Sequence, residues 1–190
     1  MIKCTENEKD IVVNILCKSF DEDQHINWLL SNSKNPRKIH IFMSYIFEEI
    51  LNSGGDIYIS ESKDAVALWQ RNMAHKFKIR SIYMAVVLGA KIGLRSAFKA
   101  LRMERYSKNL RSGAKVFYRL ILIGVLPDKR NKGLATSLIS PVIEKVKEGS
   151  IPVYLETANK HNLEFYRKMG FIIEHGYENK DICIWYMKKS

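Results

Sequence analysis

The six residues Arg130-Asn131-Lys132-Gly133-Leu134-Ala135 stand between an apolar run that reads as a buried strand, Leu120 to Leu126, and an apolar-periodic run that reads as a helix, Thr136 to Lys147. A helix start leaves several backbone N–H groups without partners, and those amides, together with the helix dipole, favour an anion. Gly133 removes the Cβ that would hold a phosphate off the backbone, Ala135 keeps the wall small, and Lys129, Arg130 and Lys132 add counter-charge. The chemistry on offer is pyrophosphate binding. Taken alone, the same residues also read as an ordinary strand-to-helix turn with solvated basic side chains.

A second group follows in order. The strand-like Pro152 to Thr157 leads to Asn159, Asn162 and Tyr166 and then to Gly170-Phe171, with Asn162 and Tyr166 one helical turn apart on one face. Together, Leu122 to Phe171 resembles the acetyl-CoA-binding half of the GNAT superfamily of N-acyltransferases. The family's R/Q-x-x-G-x-G/A loop falls on Arg130, Gly133 and Ala135, its V-x-P lead-in on Val125 and Pro127, and its LET...N...FY...GF block on Leu155 to Phe171. The tail, Ile182 to Lys189, is similar to the family's last strand more loosely. The resemblance implies an N-acetyltransferase that moves an acetyl group from acetyl-CoA to a primary amine of a small molecule, by direct attack in a ternary complex. It also implies two parallel strands, Leu120 to Leu126 and Val153 to Thr157, splayed at one end so that the pantetheine arm lies between them. Cofactor contacts are implied at Ile123 and Val125, at Arg130, Asn131, Lys132, Gly133, Leu134, Ala135 and Thr136, and at Asn162 and Tyr166, with the Val125 N–H facing the thioester carbonyl.

Acetyl transfer to an amine asks the protein to orient two reactants, stabilise an oxyanion, accept a proton from nitrogen and return one to sulfur. Tyr166 falls where the family places the tyrosine that serves the leaving thiolate. A tyrosine of pKa about 10 facing a thiol of about 8.5 is an uphill donor by roughly 1.5 units, so hydrogen bonding to sulfur counts as much as full transfer. Glu156, at the end of the strand bordering the splay, is the carboxylate beside the supposed reaction centre, as general base or as a structural hydrogen-bonding group. Family relatives carry a His near Phe117, where this chain has Phe117-Tyr118-Arg119, which leaves Glu156, Tyr118 or water for the base. Asn159 reads as a helix cap or a ligand, and His75 and His161 as surface or structural residues. No Ser/His/Asp set and no metal-ligand spacing occurs, so no metal is expected.

The elements that must position these groups are legible as periodicities. Ile2 to Thr5 is a short strand, Glu6 to Phe20 a helix, Asn35 to Asn52 a second helix ended by Gly54-Gly55, and Asp56 to Ser60 and Ala65 to Gln70 two strands. Strand Tyr118 to Leu126, helix Leu134 to Glu148, strand Ile151 to Thr157, helix Lys160 to Met169 and a hairpin of Phe171 to Glu174 with Ile182 to Met187 complete the pattern. The fold class expected is α/β (α+β): a GNAT-like mixed, mostly antiparallel β-sheet with splayed central parallel strands, flanked by helices, plus a helical insertion before the cofactor-binding half.

At 190 residues and 46% hydrophobic content, one N-acetyltransferase domain over residues 1–190 is expected, with the insertion at about 71–113 and the acetyl-CoA-binding core at about 117–171. Cys4, Cys17 and Cys183 are odd in number and widely spaced, so they read as reduced thiols. The polar, acidic residues Met1 to Asp10 do not read as a secretory signal, and no apolar run, Ile82 to Ala90 included, reaches the length of a membrane span. A cytoplasmic monomer or homodimer follows. Of the 31 basic and 20 acidic residues, twelve Lys or Arg but only Glu104 among acids lie between Arg71 and Lys115, leaving 19 of each elsewhere, so the whole net charge of +11 sits in that segment. There Lys91, Arg95, Lys99 and Arg102 recur on one helical face opposite Tyr83, Val87, Ala90, Leu94, Ala97 and Leu101, as a scaffold, a lid over the acceptor, or a recruiting surface. Only Tyr106 and Phe98 lie near that face, which argues against nucleic acid as the partner. The alternatives to an enzyme are a catalytically silent acyl-CoA sensor and a protein recruited to nucleic acid by this segment.

Overall fold

The computed structural model describes residues 1–31, 35–71, 89–111 and 113–190. Among the described residues, seven strands form one sheet in the order β1-β2-β3-β4-β5-β7-β6: β1 Ile2–Lys3, β2 Asp56–Ile59, β3 Ala65–Arg71, β4 Tyr118–Val125, β5 Val153–Thr157, β6 Ile172–Glu178 and β7 Cys183–Lys189. Neighbours run antiparallel except β4 and β5, which are parallel. This is the mixed, mostly antiparallel sheet with a central parallel pair that the sequence predicts.

Helices cover both faces. On one lie α1 (Lys9–Phe20), α2 (Gln24–Leu29), α3 (Pro36–Asn52) and α4 (Leu94–Leu110); on the other lie α5 (Leu134–Lys147) and α6 (Asn162–Lys168). Local chemistry starts them. Thr5 and Glu8 form a capping box before α1, Asp23 accepts the Ile26 N–H at 2.9 Å to begin α2, and Asn35 accepts the Arg37 N–H at 3.0 Å with Pro36 in the first turn of α3. The buried residues Ile39, Phe42, Met43, Phe47 and Ile50 put one stripe of α3 on the sheet, and Leu138, Ile139, Val142, Ile143 and Val146 do the same for α5. Strand β3 serves both layers by alternation, Val66 and Leu68 facing α1 and α3, and Ala65, Ala67 and Trp69 facing α5.

A β-bulge in β4 breaks that alternation. Leu68 pairs with Leu122 and Trp69 with Leu120, so Ile121 is the extra residue. Ile121 and Leu122 consequently both pack toward α1 and α3, whereas Leu120 and Ile123 pack toward α5. Such an insertion bends and twists a strand. Past it, β4 leaves β5: their pairing ends at Leu120 with Leu155, although the strands continue to Val125 and Thr157.

Several boundaries differ from the sequence reading. Helix α2 falls in a stretch that carried no periodic signal, because six residues are too few to show one. The terminal hairpin is longer than predicted, seven residues per strand, since its ladder extends past a register shift between Ile173 and His175. In the insertion, Tyr83, Val87 and His75 lie outside the described residues. Helix α4 buries Ser96, Ala97, Met103 and Ser107, while Leu94, assigned above to the apolar arc, is 80% exposed. Lys99, assigned to the solvated basic face, instead donates to the Trp28 carbonyl at 2.6 Å, with its ammonium 4.6 Å from the Trp28 ring centroid. The reason is α2: its last turn presents carbonyls and an aromatic face to a cation, and both attract an ammonium.

Candidate active site

Strand β4 leads into the basic loop through Leu126, whose N–H bonds the Asp64 carbonyl at 2.9 Å. After a 3₁₀ turn at Pro127–Lys129, Asn131 and Gly133 take positive φ values of 60° and 76°, and α5 begins at Leu134. A left-handed residue suits glycine, and a Cβ built on Gly133 would meet nothing within 4 Å, so the backbone there faces open space. No side chain caps this helix start and no acid stands in its first turn, which leaves the leading amides of α5 for an anion. Arg130, Asn131, Lys132, Gly133 and Thr136 are exposed around them, and Leu134 and Ala135 half-buried. One Arg130 nitrogen donates to the Ser19 carbonyl at 3.0 Å, tying the loop to the last turn of α1.

The bond from Leu126 to Asp64 also fixes which way β4 points. N–H groups alternate along a strand, so those of Leu122 and Gly124 face β3, and those of Ile123 and Val125 face the gap where β5 has diverged. A cavity of about 310 Å³ opens along this gap. Its walls include Ile121 to Ile123 from β4 and Leu155 to Thr157 from β5, and it extends under α1, α2, α3 and α4 to Phe20, Ile26, Phe42, Ile46, Leu101 and Met103. Ile123 lines it and Val125 does not.

Polar groups enter the cavity from several elements. Tyr166 lies on α6, 4% exposed, its ring edge-on to Phe171. Burial, and secondarily the charge of Asp23, push its hydroxyl well above the ordinary tyrosine range, so it stays protonated and keeps a proton to donate. Asn162, at the first position of α6, is exposed and lines the same space. Asn159 does not: its side chain accepts the His161 N–H at 2.9 Å, a turn-closing role. Tyr118 points to the opposite face of the sheet, into the layer under α5.

Glu156 is held by Arg119, which bridges it to Glu104 of α4 at 2.7 Å on the other side. Burial alone would raise the Glu156 pKa, but the Arg119 charge, the His25 charge and the Arg119 hydrogen bond outweigh it and hold the carboxyl below its usual range. Glu156 is therefore an anion at neutral pH and a weak proton acceptor. Its Oε1 takes the Arg119 bond, while Oε2 is buried with no partner among the described residues. Arg119 occupies the Phe117-Tyr118-Arg119 stretch, and nothing in the sequence marks it as the clamp between two carboxylates.

Nothing in the sequence marks His25 either. It lies on α2, in the cavity wall with Glu156 and Tyr166, and its Nε2 is buried without a hydrogen-bond partner among the described residues. Asp23, three residues before Ile26, is a signal that a helix starts there, but no local pattern shows that this helix faces β5. Among the described residues, no cluster of three or more His, Cys, Asp or Glu is placed to hold a metal ion, and no helix is long and apolar enough to cross a membrane.

Known proteins resemble the chain at two levels. The sequence model described as the acetyltransferase (GNAT) family matches residues 56–171. An uncharacterized N-acetyltransferase of Schizosaccharomyces pombe is 31% identical over 55 residues, which span 29% of this chain and 22% of that protein. Among solved structures, arylalkylamine N-acetyltransferase 2 of Aedes aegypti superposes with a TM-score of 0.72 at 15% identity, covering 99% of this chain and 96% of the other. A polyamine N-acetyltransferase of Drosophila melanogaster that forms N-acetylagmatine superposes with a TM-score of 0.69 at 11% identity, covering 96% and 94%. At such identities the two structures share the fold.

Proposed function

Since the chain belongs to the acetyltransferase (GNAT) family, we propose that it transfers the acetyl group of acetyl-CoA to the primary amine of a small molecule carried on an apolar body, by direct attack in a ternary complex. The observation that carries this reading is the cavity that begins in the β4/β5 gap and ends among apolar side chains of α1 to α4. One end suits a pantetheine arm pairing with strand backbone, and the other suits an acceptor.

Acetyl-CoA would lay its pyrophosphate on the amides of Gly133 to Thr136, with Arg130 and Lys132 beside it. The N–H groups of Ile123 and Val125 would bond the pantetheine arm and the thioester; Ile123, which lines the cavity, is the better placed donor to the carbonyl oxygen. Tyr166 donates to sulfur as the C–S bond breaks. Asn162 completes the wall on the cofactor side.

The acceptor's character follows from charge and polarity. Among the described residues, the carboxylates of Asp23, Glu49, Glu104 and Glu156 line the cavity against the single guanidinium of Arg119, so an ammonium is favoured inside. The basic residues Lys91, Arg95 and Arg102 stay on the outer surface. Aliphatic and aromatic side chains make up most of the remaining wall, with Gln70, Thr157 and Asn162 as polar exceptions, which suits the apolar body of an arylalkylamine, as in the name of the mosquito enzyme, better than a polyamine. Thiol release from acetyl-CoA with 2-phenylethylamine, n-hexylamine and spermidine tests this. Turnover of the two monoamines with spermidine at least tenfold poorer in kcat/KM is expected. Thiol release with none of them overturns the reading, and a preference for spermidine overturns the acceptor class.

A further inference from the structure

Among the described residues, three buried polar atoms of the cavity wall lack a partner: Nε2 of His25, Oε1 of Gln70 and Oε2 of Glu156. Leaving such atoms unpaired is costly, and their gathering in one wall marks where a polar group of the substrate is received; of the three, the Gln70 amide oxygen is neither a base nor a charge, which leaves His25 and Glu156 for the amine. His25 and Glu156 line the same cavity as Tyr166, the group assigned to the leaving sulfur, and as Ile123, whose strand amide faces the gap. We propose that His25 is a catalytic residue of this site, its Nε2 taking the proton from the acceptor nitrogen as that nitrogen bonds to the thioester carbon, while Glu156 Oε2 holds the amine in place. The inference rests on the reading of the protein as an amine acetyltransferase and adds the base that the reading lacks.

The division of labour follows from the surroundings of each group. Glu156 is bound to Arg119 through its other oxygen, so it offers a fixed negative charge. That suits it to seat an ammonium and unsuits it to carry a proton away. An imidazole has one nitrogen to accept a proton and a reference pKa near 6.5, close to the working pH. Against an ammonium of pKa about 10 it is a poor base, but the amine nitrogen becomes far more acidic once it bonds to the carbonyl carbon. In the balanced sequence, the bound ammonium loses one proton to solvent and its nitrogen attacks the carbonyl carbon. The carbonyl π-bond opens to an oxyanion; His25 Nε2 removes a second proton from nitrogen; and the oxyanion collapses as the C–S bond breaks. The thiolate takes its proton from Tyr166, and the proton held by His25 returns through water to the Tyr166 phenolate, so an N-substituted acetamide and free thiol result with both residues neutral again.

The position of His25 is also built. Asp23 caps α2, the His25 ring lies 6.3 Å from the Trp28 ring on the same helix, and Lys99 of α4 fastens Trp28 through its carbonyl. A surface histidine would need no such support.

The test compares wild type with His25→Asn and His25→Ala, using 2-phenylethylamine, n-hexylamine and spermidine, with thermal melting and acetyl-CoA calorimetry as controls on folding and donor binding. The expected result with the best of these amines is a kcat/KM lower by about 100-fold in both variants, an acetyl-CoA Kd within about twofold of wild type, and partial recovery of His25→Ala by added imidazole. Recovery by imidazole is a readout that a purely structural histidine would not give. Wild-type turnover in His25→Asn, or a deficit in His25→Ala that imidazole does not relieve while folding and donor affinity are intact, overturns the assignment. If the wild type itself acetylates none of the amines, the proposed function fails, and this inference with it.

Discussion

Replacing Arg119 by Met should destabilise the protein in a way that depends on pH, and the size can be worked from its neighbours. Arg119 is 4% exposed, and its two carboxylate partners differ, the Glu156 side chain being 17% exposed and that of Glu104 47%. The half-exposed Glu104 arm is worth about 0–1 kcal/mol. Stranding a buried carboxylate costs about 3–5 kcal/mol, and the residual exposure of Glu156 puts the variant near the low end, at about 3 kcal/mol at pH 8. With an m-value of about 2 kcal/mol/M, the urea midpoint falls by about 1.5 M. The sign with pH follows from the Glu156 titration. In the native protein its pKa is depressed, so it contributes stability above its unfolded pKa of about 4.3, and that contribution is lost as pH falls through the folded value. In Arg119→Met the leading charge and the hydrogen bond that lower the pKa are gone while burial, which raises it, remains, so the folded pKa is expected to rise above the unfolded one. The ionised group then opposes folding, increasingly so as pH climbs above about 4.3. The loss should therefore be larger at pH 8 than at pH 5, and Arg119→Met/Glu156→Gln should recover most of it. Equal losses at the two pH values, with no recovery in the double variant, would refute this account of the pair.

Three further substitutions separate cofactor binding, chemistry and packing. Tyr166→Phe should lower kcat by about 10- to 1000-fold, read by thiol release, with acetyl-CoA affinity in calorimetry unchanged. Gly133→Ala meets no neighbour but must hold a φ of +76°, so a stability loss of about 1 kcal/mol is expected alongside a larger, at least tenfold, rise in acetyl-CoA Kd, because the methyl projects where a phosphate would approach. Gly55→Ala should do the opposite, since its Cβ would crowd the Trp69 carbonyl and approach Ile50 Cγ2 to 2.8 Å. A loss of about 1–3 kcal/mol in urea unfolding with wild-type acetyl-CoA affinity is the expected result.

What the sequence discloses and what it hides divide along contact range. The loop at Arg130 to Ala135, helix α5 and the order of strands and helices rest on periodicity and turn residues within a few positions, and each is legible. The end of β4/β5 pairing at Leu120 and Leu155 agrees with the expected splay, yet the bulged residue Ile121 that accompanies it has no local mark, since Leu120 to Ile123 reads as one apolar run. The polar wall is wholly non-local: Arg119 reaches Glu104 across 15 positions and Glu156 across 37, and Lys99 reaches Trp28 across 71. Glu156 was legible as a carboxylate beside the gap, but its ion pair, which makes it an anchor, depends on α4, an element that the resemblance did not cover. His25 carries no local mark, because the six residues of α2 show no face until α4 and the sheet surround them.

The central claim is that acetyl-CoA lies in the β4/β5 gap with its pyrophosphate on the start of α5. Amide-resolved NMR during titration with CoA tests it most directly. The account predicts that the largest shifts fall on the N–H groups of Ile123, Val125 and Gly133 to Thr136. Saturable binding that leaves those amides unmoved, or no binding at millimolar CoA, would contradict it.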